Sequence, residues 1–183
     1  MNSLKKIYQD EIKKKLAEEL KLTNLLSVPS LTKITINVSS PEFKSDKDAL
    51  EKTKTWVSLI AGQMPQVTKA KKSIASFNLR EGDPVGVRVT LRGDRMFDFF
   101  QKLVDVVLPQ VKDFQGVKND GFDGHGNYNL GLAEQIIFPE VEYDKIGKVS
   151  GLTISITTSA RDDEAGKALL THLGMPFAKP ENK

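Results

Sequence analysis

The chain has 183 residues, 39% hydrophobic and 28% charged, which suits one domain with a real core and excludes wholesale disorder. Its 27 basic residues barely outnumber 24 acidic ones, so a net charge of +3 favours nucleic acid only where the charges are sorted in space. Cysteine is absent, which removes disulfides, thiolate metal sites and cysteine nucleophiles, and no run reaches the ~18 apolar residues of a membrane span.

In chain order, Leu4, Tyr8, Ile12, Leu16 and Leu20 recur every fourth residue and predict a helix over 2–20. The N-terminal lysines are followed by no apolar run, so no secretory signal is expected. Over 33–38, Ile34, Ile36 and Val38 alternate with Lys33, Thr35 and Asn37, the pattern of a strand with one buried side. Ser45 and Asp48 resemble a capping box for a helix that turns Leu50, Thr53, Val57 and Ile60 inward and stops near Gly62. A strand near 66–71 leads into a long polar segment from Lys72 to Asp83. The clearest strand covers 84–92, with Val85, Val87, Val89 and Leu91 against Gly86, Arg88, Thr90 and Arg92. Asp94 is placed to cap a third helix, whose stripe of Met96, Phe97, Phe100, Leu103, Val104 and Val107 ends at Pro109. Gly and Asp mark 115–126 as a loop, and strands are expected at 127–132 and 152–157. Ser159 and Asp162 repeat the capping pattern before a last helix that Gly174 and Pro176 end. These elements predict an α+β fold, an antiparallel sheet with helices on one face and one long projecting loop. It forms a single domain over 1–178, with a loose tail at 179–183.

Placed side by side, the outward strand residues are Lys33, Thr35, Asn37, Arg88, Thr90, Arg92, Asn127, Asn129, Thr153, Ser155 and Thr157. None is a carboxylate, which would repel a phosphate; hydroxyls, amides and guanidiniums suit phosphates, ribose hydroxyls and base edges. Thr, Ser and Asn are also ordinary on a solvated strand face. The face lacks an aromatic pair for stacking, which points to a folded RNA backbone rather than a splayed single strand.

Between Lys69 and Pro84, the basic Lys69, Lys71, Lys72 and Arg80 interleave with Phe77 and Leu79. Such a segment can grip a nucleic-acid backbone, or it can be a solvated hairpin whose Phe77 tucks into the core. In Gly121 to Tyr128, Asp123 lies near His125, but no nucleophile and no metal-ligand partners complete a site. A metal-free hydrolase there is the remote alternative, and catalytic residues, metal and cofactor are all expected to be none. Gln135 to Asp144 reads either as a protein-binding edge or, preferably, as core followed by a turn.

These segments together resemble the bacterial large-subunit ribosomal protein five family, which binds 5S rRNA in the central protuberance. The resemblance is carried by Val28-Pro29, Lys33 to Asn37, Thr68 to Ser73, Arg80 to Gly86, Val89 to Gly93, Phe122 to Tyr128, Glu134 to Glu140 and Tyr143 to Lys145. It implies a five-stranded sheet whose open face is held against 5S rRNA. Asn37, Gln63 and Thr90 take the RNA role, with Lys33 and Arg92 beside them. It also implies that the loop bearing Lys71, Lys72, Ser73, Phe77 and Arg80 faces P-site tRNA. The other implied partners are large-subunit rRNA and small-subunit head protein thirteen, and the implied location is the cytoplasmic ribosome; 109–116 and 134–146 are the regions we expect to meet protein thirteen. The alternative is an RNA-binding protein or RNA chaperone acting off the ribosome. The chain departs from the family pattern at Val38 to Phe43, which lacks two glycines, and at Ser76 for glycine, Asn78 for lysine and His125 for arginine.

Overall fold

The computed structural model describes residues 3–142 and 148–178. The expected tail at 179–183 and the 143–146 part of the expected partner-binding region lie outside the described residues. The fold is α+β. Strands β1 (Leu31–Ser39), β2 (Gln66–Lys69), β3 (Pro84–Leu91), β4 (Tyr128–Leu132) and β5 (Leu152–Thr158) form an antiparallel sheet in the order β2-β3-β1-β5-β4. Helix α1 runs through Ser3–Ile7, a π-helical turn at Tyr8–Ile12, and Lys13–Glu19. Helix α2 is Lys47–Ala61, α3 is Gly93–Lys102 continued by a π-helical turn at Leu103–Val107, and α4 is Asp163–His172. The chain divides into two compact units: Met1–Ile34 with Arg92–Leu130 and Ser155–Lys183, and Thr35–Leu91 with Gly131–Ile154.

In the first unit, α1 buries Tyr8, Ile12 and Leu16, the stripe expected from the fourfold spacing. The Tyr8 ring lies 6.3 Å from Phe97 of α3, and its hydroxyl donates to the Pro29 carbonyl at 2.7 Å. Lys5 of α1 pairs with Asp94 at 2.7 Å, and that hydrogen bond and charge hold the Asp94 carboxyl below the ordinary carboxylate range. Asp94 therefore lies in the first turn of α3, where the helix dipole favours it, and does not cap the helix as expected; extended Arg92 holds the cap position without a side-chain bond. Asp162 caps α4 by accepting from the Ala165 amide at 2.8 Å. Ser159, the other residue of that expected pair, instead accepts from the Ser30 amide at 2.9 Å.

In the second unit, α2 buries Leu50, Thr53, Trp56, Val57 and Ile60 and packs on β3, whose Val87, Val89 and Leu91 face the core. Its cap is Asp46, which accepts from the amides of Asp48 and Ala49, because Ser45 is turned back to donate to the Glu42 carbonyl. Gly62 ends the helix at φ +61°, a left-handed residue where a side chain would be strained. Val38 to Phe43 is taken up by the end of β1 and a 3-10 turn at Pro41–Lys44, with Ser40 as its cap and Phe43 buried. Gln135, Phe138 and Val141 are buried, so the core reading of this stretch holds for its described part. Fully buried Gln135 donates to the Lys148 carbonyl at 2.8 Å and accepts from the Ser150 amide at 2.6 Å.

That amide satisfies two backbone groups at once, so truncating it leaves both without a protein partner. Gln135→Ala is expected to destabilise the protein by about 1–3 kcal/mol, read as a lower urea midpoint with an unchanged slope.

Candidate nucleic-acid interface

None of the five strands contains an Asp or Glu on either face. Strand propensity disfavours both residue types, and the carboxylates that sequence placed in loops and helix starts are employed there as caps and turn acceptors.

In the second unit, Thr35 and Asn37 stand half-buried between the buried Ile36 and Val38 on β1. On β3, Arg88 is exposed and Thr90 half-buried. Gln63, which periodicity did not select, donates from Nε2 to the Thr90 carbonyl at 3.4 Å, so the structure brings together two residues the resemblance coupled. Strand β2 adds residues that sequence reasoning missed: Gln66 lies opposite Arg88 and Thr68 opposite Gly86, hence on shared faces. A strand is expected near 66–71, and the pairing register adds which of its residues stand beside those of β3. Exposed Thr153 on β5 is also polar and uncharged.

In the first unit, Lys33 is half-buried on β1, Arg92 exposed at the start of α3, Asn129 exposed on β4, and Ser155 and Thr157 half-buried on β5. Asn127 is used internally. Its amide nitrogen donates to Asp123 at 2.8 Å and its oxygen accepts from the Thr158 amide at 3.1 Å.

The long loop forms a small hairpin within the second unit. Ile74 and Leu79 exchange backbone hydrogen bonds at 2.9 and 3.1 Å, and the Ser73 hydroxyl accepts from the Glu81 amide at 2.9 Å. Lys71, Lys72, Ser73 and Arg80 are all exposed, and Phe77 is 75% exposed rather than tucked into the core. An apolar ring of that size in solvent beside cations can stack on a base or sugar.

The Asp123–His125 pair is a turn, not an acid–base couple. Asp123 accepts from the backbone amides of His125 and Asn127 at 2.9 and 3.1 Å and from the Asn127 side chain. Those bonds, the side-chain one foremost, hold its carboxyl below the ordinary carboxylate range. Asp163, in the first turn of α4, accepts from the amides of Gly124 and Gly126 at 3.1 and 2.8 Å. Gly126 has φ +74°, and a Cβ there would lie 2.6 Å from the Ala160 Cβ and 2.7 Å from the Asp162 carbonyl. Thr158 completes the clasp by donating from its hydroxyl to the Gly126 carbonyl at 2.8 Å. Gly126 thus serves close packing of this turn against the start of α4 and the end of β5. Among the described residues, no three His, Asp or Glu gather as a metal site, and no helix is long and apolar enough to cross a membrane.

Residues 24–80 match the family model of ribosomal protein L5, and residues 84–177 match the model of that ribosomal family's C-terminus. The chain is 52% identical over 174 residues to large ribosomal subunit protein uL5 of Microcystis aeruginosa, covering 95% of this chain and 97% of that one. It is 52% identical over 179 residues to the protein of the same name from Desulfatibacillum aliphaticivorans, covering 98% and 100%. Against that of Lactococcus lactis subsp. cremoris it is 51% identical over 178 residues, covering 97% and 99%.

Because the Gly126 turn has neither room nor backbone freedom for a methyl group, Gly126→Ala is expected to cost about 1–3 kcal/mol in a denaturant melt. The lowered Asp123 carboxyl contributes stability above its unfolded pKa and loses it as pH falls through its folded one. The stability gap between wild type and Asp123→Asn, measured by urea melts at stepped pH, should therefore close below about pH 4.

Proposed function

The chain belongs to the ribosomal protein L5 family, a structural and non-enzymatic component of the large ribosomal subunit, and we propose that it works there by binding 5S rRNA through the polar faces of its strands. The observation that carries this reading is the absence of carboxylates from every strand, combined with exposed Arg88 and Arg92 and half-buried Lys33, Thr35, Asn37 and Thr90. Cations on such faces neutralise phosphates and set the position of the RNA, while hydroxyls and amides at fixed strand spacing meet ribose hydroxyls and base edges. A phosphate about 4 Å from a carboxylate would be repelled by about 4 kcal/mol at the effective dielectric of a protein surface.

Asn37, Gln63 and Thr90 are assigned the base and ribose contacts, Lys33, Arg88 and Arg92 the phosphates, and Asn129 a flanking polar contact. Asn127 contributes by holding the turn before β4, since both ends of its amide are engaged within the chain. Docking of 5S rRNA also places the protein against large-subunit rRNA. The loop of Lys71, Lys72, Ser73, Phe77 and Arg80 is assigned to P-site tRNA, supported by its polar and basic side chains around one exposed ring. Contact with small-subunit head protein thirteen is assigned to 109–116 and 134–146, which rests on the family resemblance alone.

Binding of 5S rRNA across a salt series tests the division of labour. Arg88→Ala and Arg92→Ala should each flatten the slope of log affinity against log salt by about one, whereas Asn37→Ala should lose about 1–3 kcal/mol with the slope unchanged. Three variants that match wild type would refute the assignment of the site.

A further inference from the structure

Lys44 has no place in the sheet face, yet its side chain reaches the loop assigned to tRNA. It lies at the end of the Pro41–Lys44 turn, next to the segment that departs from the family pattern. Its ammonium donates to the Asn78 carbonyl and lies 3.7 Å from the Asp83 carboxylate. Those two oxygens sit at opposite ends of the loop's return limb. Asn78 adopts φ +49° directly after Phe77, a left-handed conformation that asparagine tolerates better than most residues. The Asp83 carboxylate accepts from the Arg80 amide at 2.9 Å, and its carbonyl accepts from the Ala70 amide at 2.8 Å, closing the base of the loop.

Beside this bridge a largely apolar cleft of about 280 Å³ runs between the Pro41–Lys44 turn and the loop; Pro41, Phe77, Leu79 and Pro84 line it together with Lys44 itself and two serines. A loop free to swing across such a cleft would let Phe77 fold into it and leave solvent. One cation attached to both the tip and the base ties the loop to the Pro41–Lys44 turn and opposes that movement. The Lys44 side chain is 38% exposed and that of Asp83 24%, so the ion pair is open enough to water for added salt to weaken it.

We propose that Lys44 is a positioning residue, a strap from the Pro41–Lys44 turn that fixes the Ile74–Leu79 hairpin and keeps Phe77 presented outward. The inference rests on the proposed function only in taking the loop as an RNA-contacting arm; the strap itself is a property of the free protein. It gives a role to the segment that replaces the family's glycine-containing run. A rigid turn ending in a lysine supplies an anchor that a flexible glycine segment would not hold in place.

Hydrogen exchange on the free, full-length protein tests it. In Lys44→Met, the Ile74, Leu79 and Gly82 amides should exchange about three- to tenfold faster than in wild type, with the melting temperature and 5S rRNA affinity unchanged. Salt at about 0.5 M should speed wild-type exchange at those amides towards the variant's rate and leave the variant's own rate unmoved. Equal exchange in the two proteins, or an equal salt response, would overturn the strap. Phe77→Ala separates the two readings. Undiminished tRNA binding by large subunits carrying it, with wild-type exchange in the loop, would overturn the loop's RNA role and leave the strap standing.

Discussion

The rest of the protein depends on a sheet that must be dry on one side while offering no negative charge on the other. Ile36 and Val38 on β1, and Val87, Val89 and Leu91 on β3, are all buried, and strand alternation then forces Thr35, Asn37, Arg88 and Thr90 to the opposite side. A slip of one residue would invert every one of these assignments, so burial of the aliphatic set and display of the polar set are one constraint. The edge strand β2 is held to four residues, carries a bulge after Thr68 and ends in Lys69, features that discourage pairing with another strand.

The acidic residues serve a different purpose. Asp46 and Asp162 cap helices, Asp94 answers Lys5 at the start of α3, Asp83 closes the long loop, and Asp123 and Asp163 grip the amides of the glycine turn. Each sits where backbone amides or a lysine offer positive charge. A chain with a net charge of only +3 can therefore present strands free of acid, because its carboxylates are placed in helices, turns and loops. Charge sorting, rather than charge excess, is what makes a nearly neutral protein suited to RNA.

Much of this was legible in the sequence. Fourfold spacing located α1, and alternation located β1 and β3 along with their buried and exposed sides. What could not be read were choices between neighbouring acceptors. Ser45 and Asp46 both precede α2, and only the competing bond from Ser45 to Glu42 decides which one caps it. Asn127 looked outward by parity, but Asp123 within the same turn and the distant Thr158 claim its amide. The strand near 66–71 was legible, but which of its residues share a face with Arg88 and Gly86 is set by a pairing register that the sequence does not show. The Phe77 ring, open to two readings in the sequence, stands in solvent beside a loop held by Lys44, about thirty positions away.

The central claim is that the acid-free strand face meets RNA, and inserting a carboxylate there tests it most directly. Thr90→Glu should weaken 5S rRNA binding at least tenfold, while Thr55→Glu, exposed on α2, should leave it within about threefold. Equal effects of the two substitutions, with both proteins folded, would contradict the account.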